Sequence, residues 1–178
     1  MFILRGGMRY LVLLVLFSGC AATYPVPPAI PTAPGLPDRF ERVVFAPGST
    51  CVLYRSAQPT DAEWKRLVSE YGIRIEIKLN GLESLVRAPA GVVTFKEPIN
   101  VFVEPSQEQL ARIEKEACHS QQPALMHCSH GEDRTGLGVG YVQYKSGMSA
   151  IEAYLNMVSM RFHPYPALMK AWVKAVGW

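Results

Sequence analysis

In the segment His127-Cys128-Ser129-His130-Gly131-Glu132-Asp133-Arg134-Thr135-Gly136, one short loop separates a thiol from a guanidinium. The apolar run Ala124 to Met126 before it predicts a buried strand, and Gly136 to Tyr144 after it predicts a helix. A loop between a strand end and a helix start can turn successive backbone N–H groups into one cavity. The positive end of the helix dipole faces the same cavity, which makes an anion site. A cysteine opening such a loop has its thiolate stabilised by the amides, the helix end and Arg134, and so becomes a nucleophile. Arg134 offers a planar fork that grips two anion oxygens at once, as a lysine could not. Phosphorus is the electrophile this arrangement suits, with Cys128 attacking it to form a phosphocysteine. Ser129, His130, Gly131, Glu132, Asp133 and Arg134 are the expected phosphate-binding set, with Gly131 allowing the turn. Thr135 can donate a hydroxyl hydrogen bond to the Cys128 sulfur when it leaves in the second step. His127 is expected behind the nucleophile, its imidazole bonded to backbone.

These residues need elements to hold them. Val43 to Ala46 and Cys51 to Arg55 read as short strands around the turn signal Pro47-Gly48. Thr60 and Glu63 have capping-box spacing, and Trp64, Leu67, Val68 and Tyr71 recur at helical intervals until Gly72, which predicts a helix over about 61–71. Ile73, Ile75, Ile77 and Leu79 alternate with Arg74, Glu76 and Lys78, the pattern of a strand, and Val92 to Phe95 suggests another. Ser106 with Gln109 opens a helix through about Cys118; Ala150 to Met160 and Ala167 to Val176 complete a helical C-terminal half. Strands alternating with helices predict a single α/β domain with a mostly parallel central sheet flanked by helices. Gly136, Gly138 and Gly140 are expected to serve close helix packing, because the strand-first context of a dinucleotide site is absent.

Composition restricts the classes of function. The chain has 178 residues and a net charge of +3. Arg5 and Arg9 aside, 16 of its 18 Lys and Arg face 15 Asp and Glu, which leaves +1 for the remainder. Duplex affinity needs a concentrated positive surface, so no nucleic-acid partner is expected. The spacing of Cys118-His119 and His127-Cys128-x-His130 matches no common zinc pattern, and neither a metal nor a cofactor is expected.

The N-terminus reads as an export signal: basic residues, the apolar run Leu11 to Phe17, then Ser18-Gly19-Cys20-Ala21-Ala22, with Met8 as an alternative start. Uninterrupted apolarity falls short of the roughly 20 residues of a membrane-spanning helix. Phe17 to Cys20 resembles the lipobox of bacterial lipoproteins, which implies lipidation at Cys20 and, with Ala21 following, an outer-membrane protein facing the periplasm. Plain cleavage after Ala22, giving a soluble secreted protein, is the alternative. The resulting organisation is residues 1–20 signal, 21–41 a Pro-rich tether and 42–178 the catalytic domain. In an oxidising compartment Cys51 and Cys118 can pair with each other, or one of them can protect Cys128 reversibly, or both can be buried free thiols.

The His-Cys-x5-Arg-Thr signature resembles that of the cysteine-based protein-tyrosine-phosphatase superfamily. Tyr54-Arg55-Ser56-Ala57-Gln58-Pro59 and the helix and strand after it look like the opening of bacterial dual-specificity-like phosphatases, so the similarity covers roughly residues 51–146. The resemblance implies a tyrosine-phosphatase-like fold and a general acid, usually an Asp on a loop some 30 residues before the cysteine. Residues 96–106 contain no Asp. Asp133 gives Gly-x-Asp-Arg-Thr, similar to the myotubularins, where an acid inside the loop is proposed as proton donor; Glu104 and Glu97 compete with it. Among exported members, the tyrosine-phosphatase-like phytases suggest inositol polyphosphates such as myo-inositol hexakisphosphate as substrate. Arg55, Lys78, Arg87, Lys96 and His130 are candidate rim cations, Lys96 the first among them for substrate binding. A protein tyrosine or dual-specificity phosphatase and an inactive phosphate-binding lipoprotein are the alternatives.

Overall fold

A computed structural model describes residues 33–81, 86–118 and 121–178. The expected signal, Cys20, His119 and the tether up to residue 32 lie outside them. Five strands form one sheet: β1 (Glu41–Arg42), β2 (Leu53–Ser56), β3 (Ile75–Lys78), β4 (Val93–Lys96) and β5 (Ala124–His127), in the order β1-β2-β5-β3-β4. Only β1 runs antiparallel to its neighbour. The helices are α1 (Asp61–Tyr71), α2 (Gln107–Cys118), α3 (Asp133–Lys145), α4 (Ala150–Ser159) and α5 (Pro166–Val176). The expected α/β architecture with a mostly parallel sheet is therefore the one observed.

Local sequence explains the elements. Thr60 and Glu63 cap α1 reciprocally, and Gly72 ends it in the left-handed conformation at φ 67°. Ser149 and Glu152 do the same at the start of α4. Several boundaries differ from expectation: α3 begins at Asp133 rather than Gly136, β2 at Leu53 rather than Cys51, and two larger differences lie before β2. The strand expected over Val43 to Ala46 is instead the two-residue β1 just before it, because Glu41 and Arg42 pair with Arg55 and Tyr54 and only Val43 N–H continues the ladder, to Leu53. The tether expected up to residue 41 ends earlier. Leu36 is buried in a cluster with Trp64, Leu67, Ile73 and Leu125, and the Phe40 ring stacks on Tyr54 at 5.3 Å. Apolar residues among the prolines found a place to bury.

The two faces of the sheet are unlike. Leu53, Ile75, Ile77, Ala124 and Met126 join side chains from α2 to α5, such as Leu110, Leu137, Met157 and Trp172, in the main core. A Cβ on Gly138 would lie 2.6 Å from Met126 Sδ, so glycine there lets α3 approach the sheet closely. On the other face, α1 and residues 36–40 cover a smaller apolar cluster. Cys51 and Cys118 form a disulfide joining the lead-in of β2 to the end of α2, and Cys128 is a free, buried thiol.

Candidate active site

The register places Ser56 and Lys78 beside His127, and Lys96 beside Lys78, so the carboxyl ends of four parallel strands form one row. Ligand sites in parallel α/β sheets lie along such an edge. The Cys128 loop leaves β5 there and runs directly into α3, whose first residue is Asp133.

Three consecutive loop carbonyls are held from outside. Gln58 N–H donates to Ser129 O at 3.4 Å, the Arg39 guanidinium to His130 O at 3.0 Å, and the Arg55 guanidinium to Gly131 O at 2.5 Å. In a trans peptide the N–H points opposite the carbonyl. The N–H groups of His130, Gly131 and Glu132 are thereby turned the other way, into the loop. Gly131 has φ +70°, and a Cβ on it would fall 2.5–2.6 Å from the backbone of Ser56 and Ala57, so no other residue fits without moving β2. Arg134 lies back across the loop, donating to Ser129 Oγ at 3.1 Å. The Thr135 hydroxyl is buried and has no partner among the described residues, which leaves its proton available.

Around this frame the predicted residues divide. Arg55, expected at the rim, is 2% exposed and serves as a strut beneath the loop. Burial lowers its pKa to about 10, against the pull of Glu41 and Cys128, so it remains a cation at neutral pH. Lys78, the second expected rim cation, is 4% exposed and reaches the Val86 carbonyl at 3.3 Å. Lys96 and Arg87 are exposed. His127 does not use its imidazole on backbone as expected: Nε2 meets Glu76 Oε1 at 2.8 Å, in the interior.

The candidate acids are also distributed. Glu97 takes two bonds from Arg112 on α2, at 2.9 and 3.0 Å. Glu104 pairs with Lys170 at 2.8 Å and Lys174 at 3.6 Å on α5, and the Lys170 hydrogen bond in particular holds its carboxyl below the usual range. Asp133 stays with the loop. Its Oδ1 accepts the His163 backbone N–H at 2.8 Å and sits 3.0 Å from His163 Nδ1. Glu132 is bracketed by Arg39 at 2.6 Å and Arg161 at 3.8 Å. A cleft of about 500 Å³ opens beside the loop, lined by His130, Glu132, Asp133, His163, Pro164, Tyr165 and Pro166.

Sequence reasoning missed Arg39 and Glu76. Arg39 lay in a stretch read as tether, and Glu76 belonged to what looked like the polar half of an alternating strand. The segment Arg161-Phe162-His163-Pro164 admits from sequence both a reach to the active-site rim and a solvated helix end, and His163 makes the reach, to Asp133 across 30 residues.

Comparison with known proteins fits this geometry. Residues 75–152 match the model of a tyrosine phosphatase family. Among solved structures, PTPMT1 in complex with PI(5)P is 17% identical with a TM-score of 0.66, covering 79% of this chain and 96% of that one. The core catalytic domain of the PP-IP phosphatase SIW14 from S. cerevisiae is 18% identical at 0.60, covering 76% and 85%. P. aeruginosa TpbA is 22% identical at 0.56, covering 77% and 89%. No curated protein sequence matches.

Proposed function

We propose that this chain, a member of the cysteine-based protein tyrosine phosphatase superfamily, cleaves phosphomonoesters of small, multiply phosphorylated molecules, with inositol polyphosphates as the leading class. One observation carries the chemistry: three loop carbonyls are fixed outward while Cys128 opens the loop and Arg134 closes it. In the proposed reaction, Cys128 Sγ attacks phosphorus and the ester oxygen leaves. The inward amides and Arg134 bind the equatorial oxygens more strongly as charge builds on them. Water then attacks the phosphocysteine, and the Thr135 hydroxyl stabilises the departing thiolate.

Asp133 is the proposed proton donor. Glu97 and Glu104 are each committed to cations on other helices, whereas both bonds to Asp133 fall on Oδ1. Asp133→Asn should slow alkyl phosphates at least tenfold while leaving p-nitrophenyl phosphate, whose leaving group needs no proton, within about threefold. Equal slowing of both substrates would remove Asp133 from this role.

Several features support the substrate class. Arg39, Arg161, His130 and His163 surround the loop, and the two inositol-lipid or PP-IP proteins above share its fold. A second reading, phosphotyrosine, rests on Phe102. This residue is 80% exposed and edge-on to Tyr165 at the cleft, where an aryl ester could pack. Phosphate release from inositol hexakisphosphate, a phosphotyrosine peptide and a phosphoinositide decides between them; no release from the first excludes the leading class. The Cys51–Cys118 disulfide supports export, because such bonds persist in oxidising compartments. Lipid on Cys20, read by mass of the mature N-terminus, would establish the anchor; a free terminus after Ala22 would give the secreted form.

A further inference from the structure

Glu76 sits in the middle of β3, 1% exposed, between Ile75 and Ile77. A buried carboxylate is unfavourable unless it is well paired, and an apolar residue of similar size would serve a strand at least as well. Here every oxygen has a partner across the sheet. Oε1 meets His127 Nε2 at 2.8 Å, and Oε2 accepts the Thr94 hydroxyl from β4 at 2.6 Å. Burial opposes its charge, but these bonds and the nearby His127 and Lys78 outweigh that and hold the carboxyl below its ordinary range. An ionised carboxylate only accepts, so Nε2 must be the donor. His127 Nδ1 is buried without a partner among the described residues.

We infer that Glu76 is a positioning residue for the nucleophile: by accepting His127 Nε2–H it fixes the tautomer and orientation of the ring one peptide from Cys128, and so holds the start of the loop whose inward amides stabilise the thiolate. The inference rests on Cys128 being the nucleophile. Besides His127, the charged group acting on Glu76 is Lys78 on β3, whereas Arg55 on β2 and, in the loop and α3, Glu132, Asp133 and Arg134 belong to the Cys128 loop itself, Arg55 through Gly131 O and Arg134 through Ser129 Oγ. From α1 the neighbour is the Trp64 ring, 6.4 Å away edge-on, and α2 buries only Leu110, Ile113 and Ala117. All of these persist in a Glu76 variant, so a change in thiolate behaviour reports Glu76 itself.

The experiment follows iodoacetamide alkylation of the Cys128 peptide against pH by mass spectrometry, with kcat/KM on p-nitrophenyl phosphate. Glu76→Gln should move the alkylation midpoint up by about one pH unit and lower kcat/KM at pH 6 by about tenfold, the loss shrinking as pH rises. An unchanged alkylation profile, or a kcat/KM loss equal at all pH values, would overturn the inference. If Glu76→Gln does not fold, Thr94→Val decides, since it removes one of the two bonds. A smaller upward shift supports the inference, and an unmoved midpoint overturns it. Cys128→Ser runs alongside: full turnover by that variant would defeat the nucleophile assignment instead, a result separable from any shift at Glu76.

Discussion

The two faces of this sheet solve different problems. Under α2 to α5 the strands present Leu53, Ile75, Ile77, Ala124 and Met126 to a core made mostly of apolar side chains. Toward α1 the same strands carry Glu76, Lys78 and His127, all buried and partnered, leading to the carboxyl edge where the loop begins. One face supplies stability in bulk. The other gives some of that up to hold polar groups behind Cys128, the proposed nucleophile, and the division teaches where changes should affect folding and where they should affect chemistry.

The comparison can be broken from either side. Trp172→Ala in the main core should cost about 3–5 kcal/mol of stability by denaturant melting, with kcat per folded molecule unchanged. Arg134→Lys should do the reverse, lowering kcat/KM by about 10²- to 10³-fold while the midpoint stays put, because the fork that matches two phosphate oxygens is lost. Replacing Cys51 and Cys118 together by Ala should remove about 2–4 kcal/mol, again without altering kcat, since the bond constrains the unfolded chain and lies on the apolar side.

The smallest effect is a pH dependence that sharpens the contrast. Glu76 has a folded pKa below its ordinary 4.5, so its contribution is complete above that value and is lost as pH falls through the folded one. Below about pH 4.5 the wild type should lose stability more steeply than Glu76→Gln. Parallel acid-unfolding curves would show that Glu76 is not held ionised.

Much of this was legible because it is local. Thr60 with Glu63, the apolar runs and the Cys128 to Arg134 spacing each announce an element or a site within a few residues. What stayed hidden depends on pairing between distant strands. The alternation around Ile75 and Ile77 predicts a strand and says nothing of what covers Glu76 and Lys78, so a buried polar pair reads like a solvated face. Arg55 shows the same limit: its charge suggested the rim, but its register beside Glu41 and its reach to Gly131 turn it beneath the loop. Prolines made residues 33–41 look like tether, while Leu36 and Phe40 carried the opposite message too sparsely to be read alone.

The central claim is covalent catalysis by Cys128, and trapping the intermediate tests it most directly. Acid quenching during turnover of a labelled phosphomonoester should leave phosphate on the Cys128 peptide, with neither label nor turnover in Cys128→Ser. Undiminished turnover by Cys128→Ser, or label carried by another residue, would contradict the account.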